Sequence, residues 1–190
     1  MSSAAIAPIA LGAGLIGTAV SAAGAYESGQ AQSAASAYQA QVVFAVEKLA
    51  DVYNEARPLL PLHWQEIARN KGLLTLNPDL DAYTNGAEKL LLITARFDRR
   101  LIGYFLWVTA PHPHYKHVLT AQEDLHFLLP EYRRGLTGYN LLKAARDAAV
   151  AKGAKLLAVR EKVGHEHPAL WKRLGFAPTD IVYTYAAVKG

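Results

Sequence analysis

The sequence predicts an α/β domain, a mixed sheet flanked by helices, preceded by an apolar N-terminal helix that lies outside it. Three observations predict it. Strand-like and helix-like runs alternate from Val42 onward, and a glycine loop stands between a strand and a helix at the centre of that series. Residues 1–41 also differ in charge from the rest: they hold no Lys or Arg, and Glu27 is their one acid. Removing that acid turns the formal +4 of the whole chain into +5 over residues 42–190, so two parts meant for different surroundings are implied. The division falls near Gln41, giving a helical anchor and linker over 1–41 and a folded domain over 42–190.

In the first part, Ser2 to Tyr26 is free of charge and about as long as a helix that crosses a bilayer. Its bulk is mostly Ala and Gly, with Ile6, Ile9, Leu11, Leu15, Ile16 and Val20 as the larger apolar residues, so packing against protein is the better reading. Ala13, Gly17, Ser21 and Ala25 recur every fourth residue, which on a helix makes a smooth stripe that another backbone can approach. A secretory signal fits less well, because the basic stretch that normally precedes the apolar run is missing. Glu27 to Gln41, rich in Ala and Gln, extends the helix or serves as a soft linker.

In the second part, Val42, Val43, Val46, Leu49 and Val52 keep a helical spacing that stops at Pro58. "PLHWQEIARN" follows as a short helix with Pro61 in its first turn. Leu90 to Phe97 and Leu101 to Ala110 read as a hairpin turning at Asp98–Arg100, and "VLTAQEDLHFLL" as a third strand. Tyr139 to Lys152 is a helix closed by Gly153. Lys155 to Glu161 then reads as a buried strand, "PALWKRLGF" as a short helix ending at Gly175, and "DIVYTYAAV" as a last strand.

The chain has no Cys, which removes disulfides, thiolate nucleophiles and Cys-rich zinc sites. Its basic excess is modest and contains no Lys/Arg run, which disfavours nucleic acid and fits a small acidic ligand equally well. The loop "YRRGLTGYN" is where such a ligand would bind. A helix N-terminus carries unpaired N–H groups and partial positive charge. Gly135 and Gly138 would let the backbone come close to phosphate oxygens, Thr137 could donate a hydroxyl, and Arg133 and Arg134 could grip a diphosphate. An ordinary turn with solvated arginines is the plainer alternative.

Arg133-Arg134-Gly135-Leu136-Thr137-Gly138 resembles the pyrophosphate loop of the GNAT superfamily of acetyl-CoA-dependent N-acetyltransferases, with Leu136 where a second glycine is usual. Tyr132–Gly138 is similar to the Tyr-Arg-Arg-Gly-x-Thr-Gly form found in phage-encoded members. "LHWQEIA", "PHPHYKHVLTAQEDLHFLLPEYRRG" and "HPALWKRLGF" are similar to theirs as well, so the resemblance runs from about Val42 to the C-terminus. It implies a V-shaped gap between the strand ending at Leu129 and the strand 155–161. Acetyl-CoA, bound as substrate, would lay its pantetheine arm along Phe127, Leu128 and Leu129 and its diphosphate on Arg133, Arg134, Gly135, Leu136, Thr137, Gly138 and Tyr139.

Acetyl transfer needs a base for the amine and an acid for the leaving thiolate. Glu123 is the candidate base on the strand beside the gap, and regular alternation would turn Asp124 and His126 to the opposite face. A rim carboxylate paired with an arginine is the competing reading of Glu123. Trp171 stands where the family usually has its acidic Tyr, and an indole cannot protonate a thiolate. Tyr183, His165, His167 or water would take that role, or the domain does not catalyse. Trp171 and Phe176 then read as core, and His167 as a helix cap. His112, His114 and His117 share a loop with no carboxylate at ligand spacing, which favours a polar loop over a metal site.

Residues 1–41 resemble the Ala/Gly/Ser-rich N-termini of tailed-phage virion proteins. The combined expectation is a virion protein anchored in its particle by the N-terminal helix, with partners among other virion proteins or in its own copies through Ala13, Gly17, Ser21 and Ala25. Acetyl transfer to an unknown amine, contact of residues 2–26 with a membrane, and passage to the host cytoplasm or envelope on infection extend it. The alternative is a soluble phage or bacterial N-acetyltransferase with no structural role.

Overall fold

The computed structural model describes residues 37–38, 41–69, 71–72, 74–185 and 187. The small-residue stripe and the rest of residues 2–26 lie outside them.

Five strands form one sheet in chain order: β1 (Val42–Glu47), β2 (Leu90–Phe97), β3 (Arg100–His112), β4 (Tyr115–Leu128) and β5 (Leu156–Ala158). The first four are antiparallel and β5 runs parallel to β4. Such a parallel step needs a crossover, which α4 (Thr137–Ala151) supplies. Before β2 come α1 (Leu49–Ala56), α2 (Leu60–Ile67) and α3 (Leu80–Asn85), and α5 (Pro168–Arg173) follows β5. The sheet flanked by helices agrees with the expected fold class.

The faces divide cleanly. Trp107 is buried beneath α4 and its Nε1–H donates to the Ala145 carbonyl at 2.9 Å. Thr137, Leu141, Ala145 and Ala149 are buried one turn apart along α4, and the two alanines let its backbone lie close to the strands. On the opposite face α1 and α2 cover Leu92, Tyr104 and Leu106. His63 of α2 is buried there, its Nδ1 3.1 Å from the Tyr104 hydroxyl and its ring stacked on Phe127. Burial favours the neutral imidazole and lowers the His63 pKa from 6.5 to about 4.

Four local readings change. Val42–Glu47 is an edge strand and not the start of a helix. Its β-branched valines suit a pleated strand, and the helix begins at Leu49 after Lys48 takes an extended conformation. Helix α4 begins at Thr137, two residues before the expected start. Strand β5 is cut to three residues because its pairing ends at Gln122↔Ala158. Residues 179–185 form no strand, and Tyr183 and Tyr185 are 88% and 90% exposed. So short a β5 offers little outer edge for another strand to pair with.

The hairpin stands as expected. Asp98 and Arg99 both take positive φ, 48° and 66°, the conformation of a two-residue turn whose twist matches its strands. Arg96 braces the edge beside it, donating to Glu47 and to both oxygens of Glu55. Gly103 in β3 sits so close to β4 that an added Cβ would lie 2.6 Å from the Phe127 carbonyl oxygen.

Candidate functional site where strands β4 and β5 part

The strand β4 carries a bulge at Asp124. Leu106 pairs with Leu125 and Trp107 with Glu123, which leaves Asp124 without an opposite residue. One extra residue reverses the alternation beyond it, so Glu123 and His126 share a face. This overturns the expectation that they could not pair: Glu123 Oε1 and His126 Nδ1 are hydrogen-bonded.

The second Glu123 oxygen accepts the Arg160 backbone N–H at 2.8 Å. The ladder between β4 and β5 has just ended, at Gln122↔Ala158, so a side chain continues the link where backbone pairing stops. The Glu123 carboxylate is nearly buried, 7% exposed, with both oxygens taken. His126 is 41% exposed and is the group of the pair open to a ligand. Its ring stacks on Phe105 and meets Trp171 edge to face at 6.3 Å.

Trp171 is held in the same cluster. It is buried, its Nε1–H donates to Glu161 at 2.8 Å, and its ring packs on Phe176. Glu161 also accepts the His167 backbone N–H at the start of α5, so the backbone of His167, not its side chain, joins the cap. Tyr183 lies on the exposed stretch after α5.

Asp124 turns to the other face. There Tyr83 of α3 donates its hydroxyl to Asp124 at 2.8 Å, and burial followed by this bond raises the Tyr83 pKa. Asp124 and Lys162, one on each of the two diverging segments, line the same cavity of about 380 Å³ under α1 and α2. The parting strands thus have a His–Glu pair on one face and a carboxylate on the other.

The loop after β4 separates its two arginines. Arg133 donates to the Leu128 carbonyl and, through both terminal nitrogens, to Glu66 of α2 at 2.7 and 2.6 Å, so its guanidinium ties α2 to the end of β4. Arg134 is exposed and lies 3.9 Å over the Tyr38 ring. Gly135 has φ 58° and turns the chain into α4. Thr137 is buried with its hydroxyl on the Arg134 carbonyl, so it shapes the turn from inside. Leu136 is exposed at the helix cap. Among the described residues no acceptor takes the backbone N–H of Gly138 or Tyr139, at the start of a helix of 15 residues. Arg173 of α5 lies 4.8 Å over the Tyr139 ring and brings a second cation to that end. These free amides with Arg134 and Arg173 form a surface suited to a diphosphate. Phe127, Leu128 and Leu129 are buried at the end of β4, beyond its last pairing with β5.

Sequence reasoning missed His126 and Arg173. The signal for His126 was present in "EDLH", but only a bulge makes its spacing from Glu123 meaningful. Arg173 comes to the loop by tertiary packing alone. Among the histidines of the β3–β4 turn, the His114 N–H donates to His112 Nδ1 and the rings gather on Tyr115.

No protein-family model matches the chain, and no curated protein sequence does. Solved structures do. An aminoglycoside acetyltransferase from an uncultured soil metagenomic sample, in complex with sisomicin, superposes with a TM-score of 0.62 at 13% identity, over 80% of this chain and 99% of that one. Ribosomal-protein-alanine N-acetyltransferase from Brucella melitensis gives 0.59 at 20% identity, over 78% and 98%. A predicted acetyltransferase with acetyl-CoA from Clostridium acetobutylicum gives 0.56 at 13%, over 76% and 96%. At these identities the likeness shows the fold, and the fold is that of the GNAT acetyltransferases.

Proposed function

We propose that the domain transfers an acetyl group from acetyl-CoA to an amine at the parting of β4 and β5. The observation that carries this is the bulge, which sets Asp124 and the Glu123–His126 pair on opposite faces of one strand where its neighbour turns away. Acetyl-CoA supplies the activated thioester when bound.

Arg134, Arg173 and the amides of Gly138 and Tyr139 hold the diphosphate. Asp124, from the cavity face, takes the proton from the acceptor amine as nitrogen bonds to the acetyl carbon. His126, its Nδ1 held by Glu123, presents Nε2 to the leaving sulfur and gives it a proton as the carbon–sulfur bond breaks. Glu123 acts through His126, in the manner of a carboxylate that orients an imidazole. Support for His126 as acid is its contact with Trp171, the residue that replaces the family's usual Tyr.

Calorimetric titration of the full chain with acetyl-CoA tests the reading. Binding is expected, weakened about tenfold in Arg134→Ala. Absence of binding in the folded wild-type chain would overturn it.

Carriage in a phage particle is the finer part of the proposal, and its support is the composition of residues 1–41. The N-terminal segment anchors the chain on other virion proteins or on its own copies through Ala13, Gly17, Ser21 and Ala25. Mass spectrometry of purified particles is expected to find the chain. A chain present in infected cells yet missing from particles would leave a soluble N-acetyltransferase.

A further inference from the structure

The cavity under α1 and α2 has a definite chemical character. Its walls are mostly apolar, with Val52, Leu60, Leu92 and Leu106 among them. Of its polar residues, His63 and Tyr104 are bonded to each other and Tyr83 donates to Asp124, while Thr75 and Asn77 stand together on the segment between α2 and α3. A ligand rich in hydroxyls would therefore lose more water than the few polar groups of the lining could replace. Asp124 differs from the rest: it is exposed, and among the described residues no cation pairs with it.

We infer that this cavity selects an apolar primary amine, of the arylalkylamine or alkylamine type, as the acetyl acceptor. The organic body fills the space between α1, α2 and the sheet, and the ammonium pairs with the Asp124 carboxylate. Asp124 precedes Leu125 on β4 and Lys162 follows β5, so both segments bordering the parting help form the cavity. The bound nitrogen thereby meets the gap, whereas a sugar amine lacks the apolar surface that the walls cover. Among the described residues, Lys162 is the one Lys or Arg that lines the cavity. It disfavours a second positive charge on the ligand and so counts against polyamines. The inference rests on the transferase reading for the step that follows, but not for the binding.

The test titrates the full chain with 2-phenylethylamine, glucosamine and spermidine in the absence of acetyl-CoA. It then measures thiol release from acetyl-CoA with each amine. Binding of 2-phenylethylamine at least tenfold tighter than glucosamine or spermidine is expected, with a loss of about tenfold in Asp124→Asn. Leu80→Ser, at a half-exposed position in the cavity wall, is expected to weaken 2-phenylethylamine severalfold while leaving acetyl-CoA affinity unchanged, which keeps the test alive if Asp124→Asn misfolds. Equal binding of the three amines, or 2-phenylethylamine affinity indifferent to both substitutions, would overturn the inference. Selective binding without thiol release would sink the transferase reading and uphold the cavity's selectivity. Thiol release with glucosamine and none with 2-phenylethylamine would do the reverse.

Discussion

Glu123 and His126 lie three residues apart on one strand and still meet on the same side of the sheet, because Asp124 between them is a bulge. Restoring the regular count would move His126 to the cavity face and break the pair. If His126 protonates the leaving group, His126→Gln is expected to lower kcat by roughly 10² or more with little change in acetyl-CoA affinity. Adding Trp171→Tyr in that background supplies a phenol beside position 126 and is expected to recover part of the rate. A His126→Gln enzyme with undiminished single-turnover rate would remove the imidazole from the chemistry.

Gly103 tolerates no side chain. An alanine methyl would lie 2.6 Å from the Phe127 carbonyl oxygen and 3.0 Å from the Leu128 Cα, and neither backbone atom can rotate away. Gly103→Ala is expected to cost about 3 kcal/mol, read from denaturant midpoints, and to weaken the β3–β4 seam. A near-neutral result would mean that the strands separate at little cost.

His63 makes stability depend on pH in the mildly acidic range. Its folded pKa, about 4, lies below the unfolded 6.5, so the unfolded chain binds the proton more readily between those values. The contribution is present above pH 6.5 and falls with pH through that window. A drop of about 2 kcal/mol between pH 7.5 and 5 is expected from this group. His63→Phe also removes the bond to Tyr104, so the comparison is of slopes: the variant's stability should change less over the same range.

Glu66 acts at lower pH. The hydrogen bonds from Arg133 hold its carboxyl below the usual 4.5, so its contribution is present above that value and is lost as pH falls through the folded pKa. The pair is more than a third exposed, and water screens it, so Glu66→Gln is expected to cost no more than about 1 kcal/mol at pH 7. That difference from wild type should shrink as pH falls below 4.5 in parallel urea titrations.

The hairpin, α2, α4 and α5 were legible in the sequence because each has a local signal: a turn triplet, a proline in a first turn, a glycine after a last one. Val42–Glu47 was not, since a run with apolar residues at 42, 43 and 46 fits a helix as well as an edge strand that is only partly covered. The bulge was invisible for a different reason. Alternation arguments assume a period of two, and nothing in "EDLH" announces an extra residue. Thr137 shows the limit of reading a loop by residue type: its hydroxyl was expected toward a ligand and is spent inside the turn. "DIVYTYAAV" has the composition of a strand, but a strand also needs an edge to join.

The order of the sheet has a kinetic consequence. Because β2, β3 and β4 are joined by tight turns at Asp98–Arg99 and Pro113–His114, they can assemble by successive short closures, whereas β1 is set apart from β2 by three helices and β5 must wait for the whole of α4 to span the crossover. Hydrogen-exchange pulse labelling during refolding should find the amides of 101–106 protected before those of 156–158. The seam that opens into the candidate site would then zip only after the three-stranded meander beside it, and come undone before that meander does when the molecule breathes.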